Sequence, residues 1–190
     1  MTQITASQVK ELRDKTGLGM MDCKRALQES NGDIEEAITN LRKSSALKAE
    51  KKASRTAVEG IILVDLDESK TNALMVEVNC ETDFVAKDEN FLTFCDSVMS
   101  HSKELIEDEN PLESLQSDME ESRQALIQKI GENIKIRKLE VLKGSSVETY
   151  LHGNRKIGVS ISIDGGDEGL AKDLAMHIAA SNPLVVLPED

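Results

Sequence analysis

Apolar positions recur along the chain at two spacings, helical and alternating, and the change between them organises it. From residue 4 to about residue 41 the spacing is helical. Thr5 precedes the first run with Gln8 three residues on, the pattern of a capping box, and Ile4 and Val9 stand where a hydrophobic staple would close it. That helix carries Val9 and Leu12 and stops near Lys15-Thr16-Gly17. A second helix, about 20–30, puts Met20, Cys23, Ala26 and Leu27 on its apolar side and ends at Asn31-Gly32. Asp33 caps a third, with Glu36 completing a second box and Ile34, Ala37, Ile38 and Leu41 facing inward. The pattern predicts a three-helix bundle over 1–42.

Over 43–56 the pattern weakens and turns basic. Arg42, Lys43, Lys48, Lys51, Lys52 and Arg55 stand against Glu50 alone, which predicts a linker or helical extension with a solvated face. Alternation begins at 58–66 and resumes at 72–79, two strands joined by the turn Asp67-Glu68-Ser69-Lys70. The corner Asn79-Cys80-Glu81-Thr82-Asp83-Phe84-Val85-Ala86-Lys87 follows, and a helix then runs through Phe91, Phe94, Cys95, Val98 and Leu105 to Ile106. Asn110-Pro111 breaks it and starts one more helix, carrying Leu112, Leu115, Met119, Leu126, Ile127 and Ile130 to a stop at Gly131-Glu132-Asn133. Strand-like positions return at Ile134 and Ile136, later at Leu139 and Val141, then over 147–152 and at Ile157, Val159, Ile161 and Ile163. A last helix, about 168–180, shows Leu170, Leu174 and Ile178 on one side, and Val185-Val186-Leu187-Pro188 closes the apolar pattern. Helical pairs among hairpin-joined strands predict an α+β domain over 57–190, with an antiparallel sheet.

Composition narrows the function. The formal net charge is −12, and there are three Phe, one Tyr and no Trp. Phosphate binding needs Lys and Arg, and single-strand binding needs aromatic platforms, so direct nucleic-acid binding is not expected. Three cysteines without a C-x-x-C pair fit a reducing compartment. Met1-Thr2-Gln3-Ile4-Thr5 has no apolar signal core and no run reaches membrane-spanning length, so a cytoplasmic protein is expected.

No catalytic constellation emerges. Cys80 lies near Asp83, but His101, His152 and His177 carry no local signature of a base, and a small buried Cys is the simpler reading. Cysteines and histidines are too scattered for a zinc site, and Gly17-Leu18-Gly19 and Gly165-Gly166 lack the forms that cradle phosphate. Neither a metal nor a cofactor is expected. What stands out is Asp83 beside Phe84 on a strand-to-helix corner, where scaffolds present working side chains. The residues alone leave two readings open there: a projecting contact, or Phe84 tucked into the core with Asp83 or Asp88 capping the next helix.

The motifs Thr16-Gly17-Leu18-Gly19-Met20-Met21-Asp22-Cys23-Lys24, Asn31-Gly32-Asp33 and Asn79-Cys80-Glu81-Thr82-Asp83-Phe84-Val85-Ala86 closely resemble translation elongation factor Ts. So do Lys129-Ile130-Gly131-Glu132-Asn133-Ile134 and Ala175-Met176-His177-Ile178-Ala179-Ala180, in the family's order. The resemblance implies a guanine-nucleotide exchange factor, not a covalent catalyst, whose partner is elongation factor Tu. It implies that the first helices are a ubiquitin-associated-like bundle docking on the partner's nucleotide-binding domain. It also implies that Thr82, Asp83, Phe84 and Val85 intrude there and disturb the partner's magnesium site, with Met20, Cys23, Lys24, Ile130, Gly131 and His152 as further contacts. Longer members continue past Pro188-Glu189-Asp190 with a second core half, a coiled coil and a C-terminal module. The open ending here reads as a fragment, so binding is expected to survive better than exchange, and self-association is not expected. Two other classes stay in view. An adaptor would bind without exchange, and an enzyme using Cys80 would lose activity on Cys80→Ser.

Overall fold

The computed structural model describes residues 4–185. Met1-Thr2-Gln3 and the Pro188-Glu189-Asp190 ending lie outside them, as do Val186 and Leu187 of the closing apolar segment. Helix α1 (Ala6–Thr16) starts as its capping box dictates: Thr5 Oγ1 accepts the Gln8 N–H at 3.3 Å, and Gln8 Oε1 accepts the Thr5 N–H at 3.0 Å. Gly17 ends it at φ 66°, a left-handed turn that costs glycine little. Helix α2 (Met20–Glu29) buries Cys23, Ala26 and Leu27 but leaves Met20 58% exposed, so Met20 is off the inward face. Asp33 caps α3 (Ile34–Lys52) by accepting the Glu36 N–H at 3.0 Å. The second box is only half formed, because the Asp33 N–H already donates to Ser30 O at 2.9 Å. Val9, Leu12, Leu18, Cys23, Ala26, Leu27, Ala37 and Leu41 make one core cluster.

The basic stretch is helical to Lys52. Ala37, Leu41, Ser45 and Ala49, four residues apart, form the buried line of α3. The first two pack in the bundle, and Ala49 packs in the second, larger cluster. Ser45 Oγ donates to Gln128 Oε1 at 2.5 Å.

That larger cluster lies against a three-stranded antiparallel sheet in the order β1 (Glu59–Leu66), β2 (Asn72–Cys80), β3 (Lys135–Lys143). Alternation fits the pleat: Ile61, Leu63, Leu74, Val76 and Val78 point into the cluster, while Ile62 and Met75 take the other face. The step from Ile136 to Leu139 breaks strict alternation. A bulge absorbs it, since Val78 pairs with Ile136 and Glu77 with Lys138, leaving Arg137 as the extra residue. The helices over this face are α4 (Glu89–Ser102), α5 (Pro111–Asp118) and α6 (Glu120–Ile130). Where one helix is expected from Pro111 to Ile130 there are two, interrupted at Met119 (φ −91°, ψ −1°). Helix α4 also ends at Ser102, with a 3₁₀ turn over Lys103–Leu105.

A separate hairpin, β4 (Val147–Leu151) with β5 (Gly158–Ser162), approaches the outer face of the sheet, where Gly158 sits against Ile62 and Met75. Helix α7 (Glu168–Ser181) packs along that hairpin. Its buried residues are Ala171 and Ala175, whereas Leu170 and Leu174, from the apolar side read in the sequence, are 49% and 37% exposed. Alanines one turn apart let the helix approach closely, and that leaves the bulkier leucines outside the contact. The described elements are thus α+β with antiparallel strands only.

Candidate partner-binding site

The corner after β2 is a tight, hydrogen-bonded turn. Thr82 O accepts the Ala86 N–H at 3.2 Å, Phe84 O the Lys87 N–H at 3.1 Å and Val85 O the Asp88 N–H at 3.0 Å, giving a 3₁₀ turn over Val85–Lys87. Asp88 then caps α4, its Oδ1 accepting the N–H groups of Asn90 at 2.8 Å and Phe91 at 3.4 Å. The Asn90 side chain, first among its hydrogen bonds, holds the Asp88 carboxyl below its ordinary range against the opposing effect of desolvation. Asp88 is therefore the cap. Ala86 is buried and Val85 packs against the larger cluster, which anchors the turn. Phe84 points away from it and is 82% exposed. Asp83 is exposed as well and meets Lys87 Nζ at 3.1 Å. Of the two readings left open, the projecting Phe84 is the one observed.

Two glutamates brace this corner across the sheet end. Glu132, in the turn between α6 and β3, accepts the N–H groups of Glu81 and Thr82 on Oε2 at 3.1 and 3.0 Å, and the Thr82 hydroxyl on Oε1 at 2.7 Å. Glu81 returns the bond, its Oε1 accepting the Asn133 N–H at 2.6 Å. Buried Asn133 donates from Nδ2 to Arg55 O at 2.8 Å, and Arg55 Nη1 lies 3.6 Å from Glu81 Oε1. Sequence reasoning missed Glu81, Glu132 and Asn133 as site residues. The available signal was a carboxylate in each of two glycine- or asparagine-bearing corners, a common acceptor for loose backbone N–H groups.

The remaining candidates separate by exposure. Gly131 ends α6 at φ 91° with its N–H on Ile127 O, and Ile130 packs at the edge of the larger cluster. Met20 and Lys24 are exposed on α2. Cys23 is a correction: it is fully buried in the bundle core, so it supports its neighbours and offers no surface to a partner. His152 is exposed, with Nδ1 at 3.0 Å from Tyr150 Oη. Its loop is tied to β1, where Arg155 O accepts the Ile62 N–H at 2.8 Å and Lys156 pairs with Glu59. Glu59 is opposite Cys80 in the ladder, so this loop stands at the corner's end of the sheet. Thr16 and Gly17 line one cavity with Asn90 and Lys129, which brings the α1–α2 turn beside the start of α4.

Cys23, Cys80 and Cys95 are all free and buried. Burial, with Glu132 second, pushes the Cys80 thiol up to about 11, and burial likewise raises Cys95 and Cys23. Burial thus disfavours the thiolate form that a nucleophilic cysteine needs. An aromatic disulfide reagent at pH 7.5 is therefore expected to label none of the three thiols in minutes on the native chain, and all three after denaturation. Rapid native labelling of Cys80 would reopen a nucleophilic role.

The corner thus presents an exposed aromatic on a hydrogen-bonded scaffold, the kind of feature that serves as an apolar anchor where proteins dock. Residues 81–190 match the family described as Elongation factor TS. Over 190 residues, all of this chain, it is 50% identical to Elongation factor Ts of Hahella chejuensis and 53% identical to that of Photorhabdus laumondii, covering 66% of each. It is also 50% identical over its whole length to Elongation factor Ts of Marinobacter nauticus, covering 65% of it. The chain belongs to the elongation factor Ts family. It spans slightly less than two thirds of the length of these curated relatives, 65–66%. Among the described residues no helix is long and apolar enough to cross a membrane.

Proposed function

We propose that this chain docks on elongation factor Tu and promotes release of its bound GDP during translation elongation. The observation that carries the reading is Phe84, 82% exposed on a hydrogen-bonded corner. Family membership supplies the partner class. In this mechanism Phe84 is an apolar wedge and Asp83 a polar contact that keeps the displaced partner helix in place. The Asp83–Lys87 pair is solvent-exposed and weak, so Asp83 can exchange Lys87 for a partner donor at little cost. Lys24 is an ionic anchor, His152 a hydrogen-bonding contact, and Met20, Ile130 and Gly131 complete the footprint. The bundle docks on the nucleotide-binding domain, and the corner disturbs the magnesium and phosphate contacts there.

Exchange requires that the factor bind the nucleotide-free partner more tightly than the GDP-bound one, and linkage makes the effect reciprocal. The chain's affinity for elongation factor Tu is therefore expected to fall by at least about 100-fold when saturating GDP and magnesium are added, as read by titration calorimetry. Equal affinity in both conditions would identify an adaptor that docks without exchange.

A further inference from the structure

We infer that Glu132 is a positioning residue for the Asp83-Phe84 tip: its carboxylate holds the flank before the tip directly, reaches the flank after it only through the Thr82 hydroxyl, and locks the tip to the Ile130-Gly131 turn. This rests on the exchange reading above for its functional consequence, but not for its geometry. Before the tip, Oε2 accepts the Glu81 and Thr82 N–H groups at 3.1 and 3.0 Å. After it, the brace continues through a side chain, because the Thr82 hydroxyl donates to Oε1 at 2.7 Å while its oxygen accepts the Val85 N–H at 3.4 Å. Asp83 and Phe84 thus sit on a loop whose leading end is held by the carboxylate and whose trailing end is linked to it through the Thr82 hydroxyl.

The geometry suits a brace, since three donors meet one carboxylate whose two oxygens have lone pairs for all of them. Glu132 directly follows Gly131, so the same side chain sets the distance between two segments of the proposed footprint. The Glu81 carboxylate closes the loop from the opposite direction on the Asn133 N–H at 2.6 Å. A wedge that disturbs a partner's helix must resist being pushed back. Ala86 and Val85 anchor the turn on the α4 side and Glu81 ties its start to Asn133, and Glu132 adds a direct tie from the Glu81-Thr82 backbone to the turn between α6 and β3.

Two measurements on the full chain test this, using Glu132→Ala and the milder Glu132→Gln. Amide hydrogen exchange is expected to accelerate at Glu81 and Thr82 in Glu132→Ala by at least about tenfold, while the amides of α3 and the sheet keep their protection. Unchanged protection at Glu81 and Thr82 would overturn the brace, and so would loss of protection throughout the chain, which marks a fold defect. Release of a fluorescent GDP from elongation factor Tu is then compared in a double-mutant cycle with Phe84→Ala. Glu132→Ala is expected to slow release about tenfold in the parent chain and less than about twofold in the Phe84→Ala background, because a brace acts only through what it holds. Glu132→Gln is expected to fall between the parent and Glu132→Ala. Equal effects in both backgrounds would make Glu132 structural and overturn the assignment. If the parent chain leaves GDP release unchanged, the exchange reading falls, and the amide protection alone decides whether Glu132 positions the tip.

Discussion

Phe84→Ala is expected to slow the chain-stimulated release of GDP from elongation factor Tu by about 10- to 100-fold, with no loss of fold stability. Both halves of that expectation come from one exposure. A side chain that is 82% exposed contributes little to the free chain, so its removal is expected to change stability by less than about 0.5 kcal/mol. Burying it in a partner is worth about 1.5–3 kcal/mol, and the same amount is lost from the nucleotide-free complex on truncation. Shifting a partner from nearly all nucleotide-bound to nearly all free takes about 5.5 kcal/mol of differential affinity. Phe84 is therefore expected to supply a large share of the drive and not the whole of it. Asp83→Ala, which removes an exposed polar contact, is expected to cost less, about two- to tenfold. Stopped-flow release of a fluorescent GDP, paired with a thermal melt of each variant, checks the expectation. Release as fast with the Phe84→Ala variant as with the parent chain would remove the corner from the mechanism.

Gly60→Ala is expected to act by a different route, through stability. Gly60 lies in β1 opposite Asn79 at φ 131°, a conformation that an L side chain rarely adopts. A Cβ there would fall 2.0 Å from Val78 O and 2.7 Å from Asn79 Cα, both backbone atoms of the neighbouring strand. Neither can move without parting β1 from β2 just before the corner. Strain and overlap together are expected to destabilise the chain by about 3–5 kcal/mol, a fall in melting midpoint of about 6–20 °C. Thermal and urea unfolding of Gly60→Ala measure it. A midpoint within about 2 °C of the parent would mean that the ladder tolerates the extra carbon and that Gly60 is not required. Because Asn79 leads directly into the corner, the variant is also expected to lose exchange activity in proportion to its unfolded fraction.

Much of the local structure was legible before any tertiary contact was known. Thr5 with Gln8, Gly17 and Gly131 marked helix ends because caps and left-handed stops are satisfied within a few residues of themselves. The alternation at 58–66 and 72–79 matches strands at Glu59–Leu66 and Asn72–Cys80 for the same reason: the pleat repeats every second residue. The site was half legible. Asp83 and Phe84 stood out as an unusual pair at a corner, but their direction did not, since an aromatic at a strand end serves a core as readily as a partner.

The remainder depended on contacts between distant residues. Met20 and Cys23 share a helix, and only packing against α1 and α3 buries Cys23 and leaves Met20 outside. Leu170 and Leu174 have the right spacing for an inward face, yet Ala171 and Ala175 take it, because close approach to the hairpin favours the smaller side chains. Glu132 reaches Thr82 across fifty residues of sequence, and no local pattern records that a carboxylate will find two backbone donors there. By itself, then, the sequence determined the kinds of element, most of their ends and the class of fold, since those are set by interactions within a turn or a strand. Only the tertiary structure decided which apolar residues face out and which acids brace the corner. Burial and carboxylate acceptance depend on what the rest of the chain brings within about 3–4 Å.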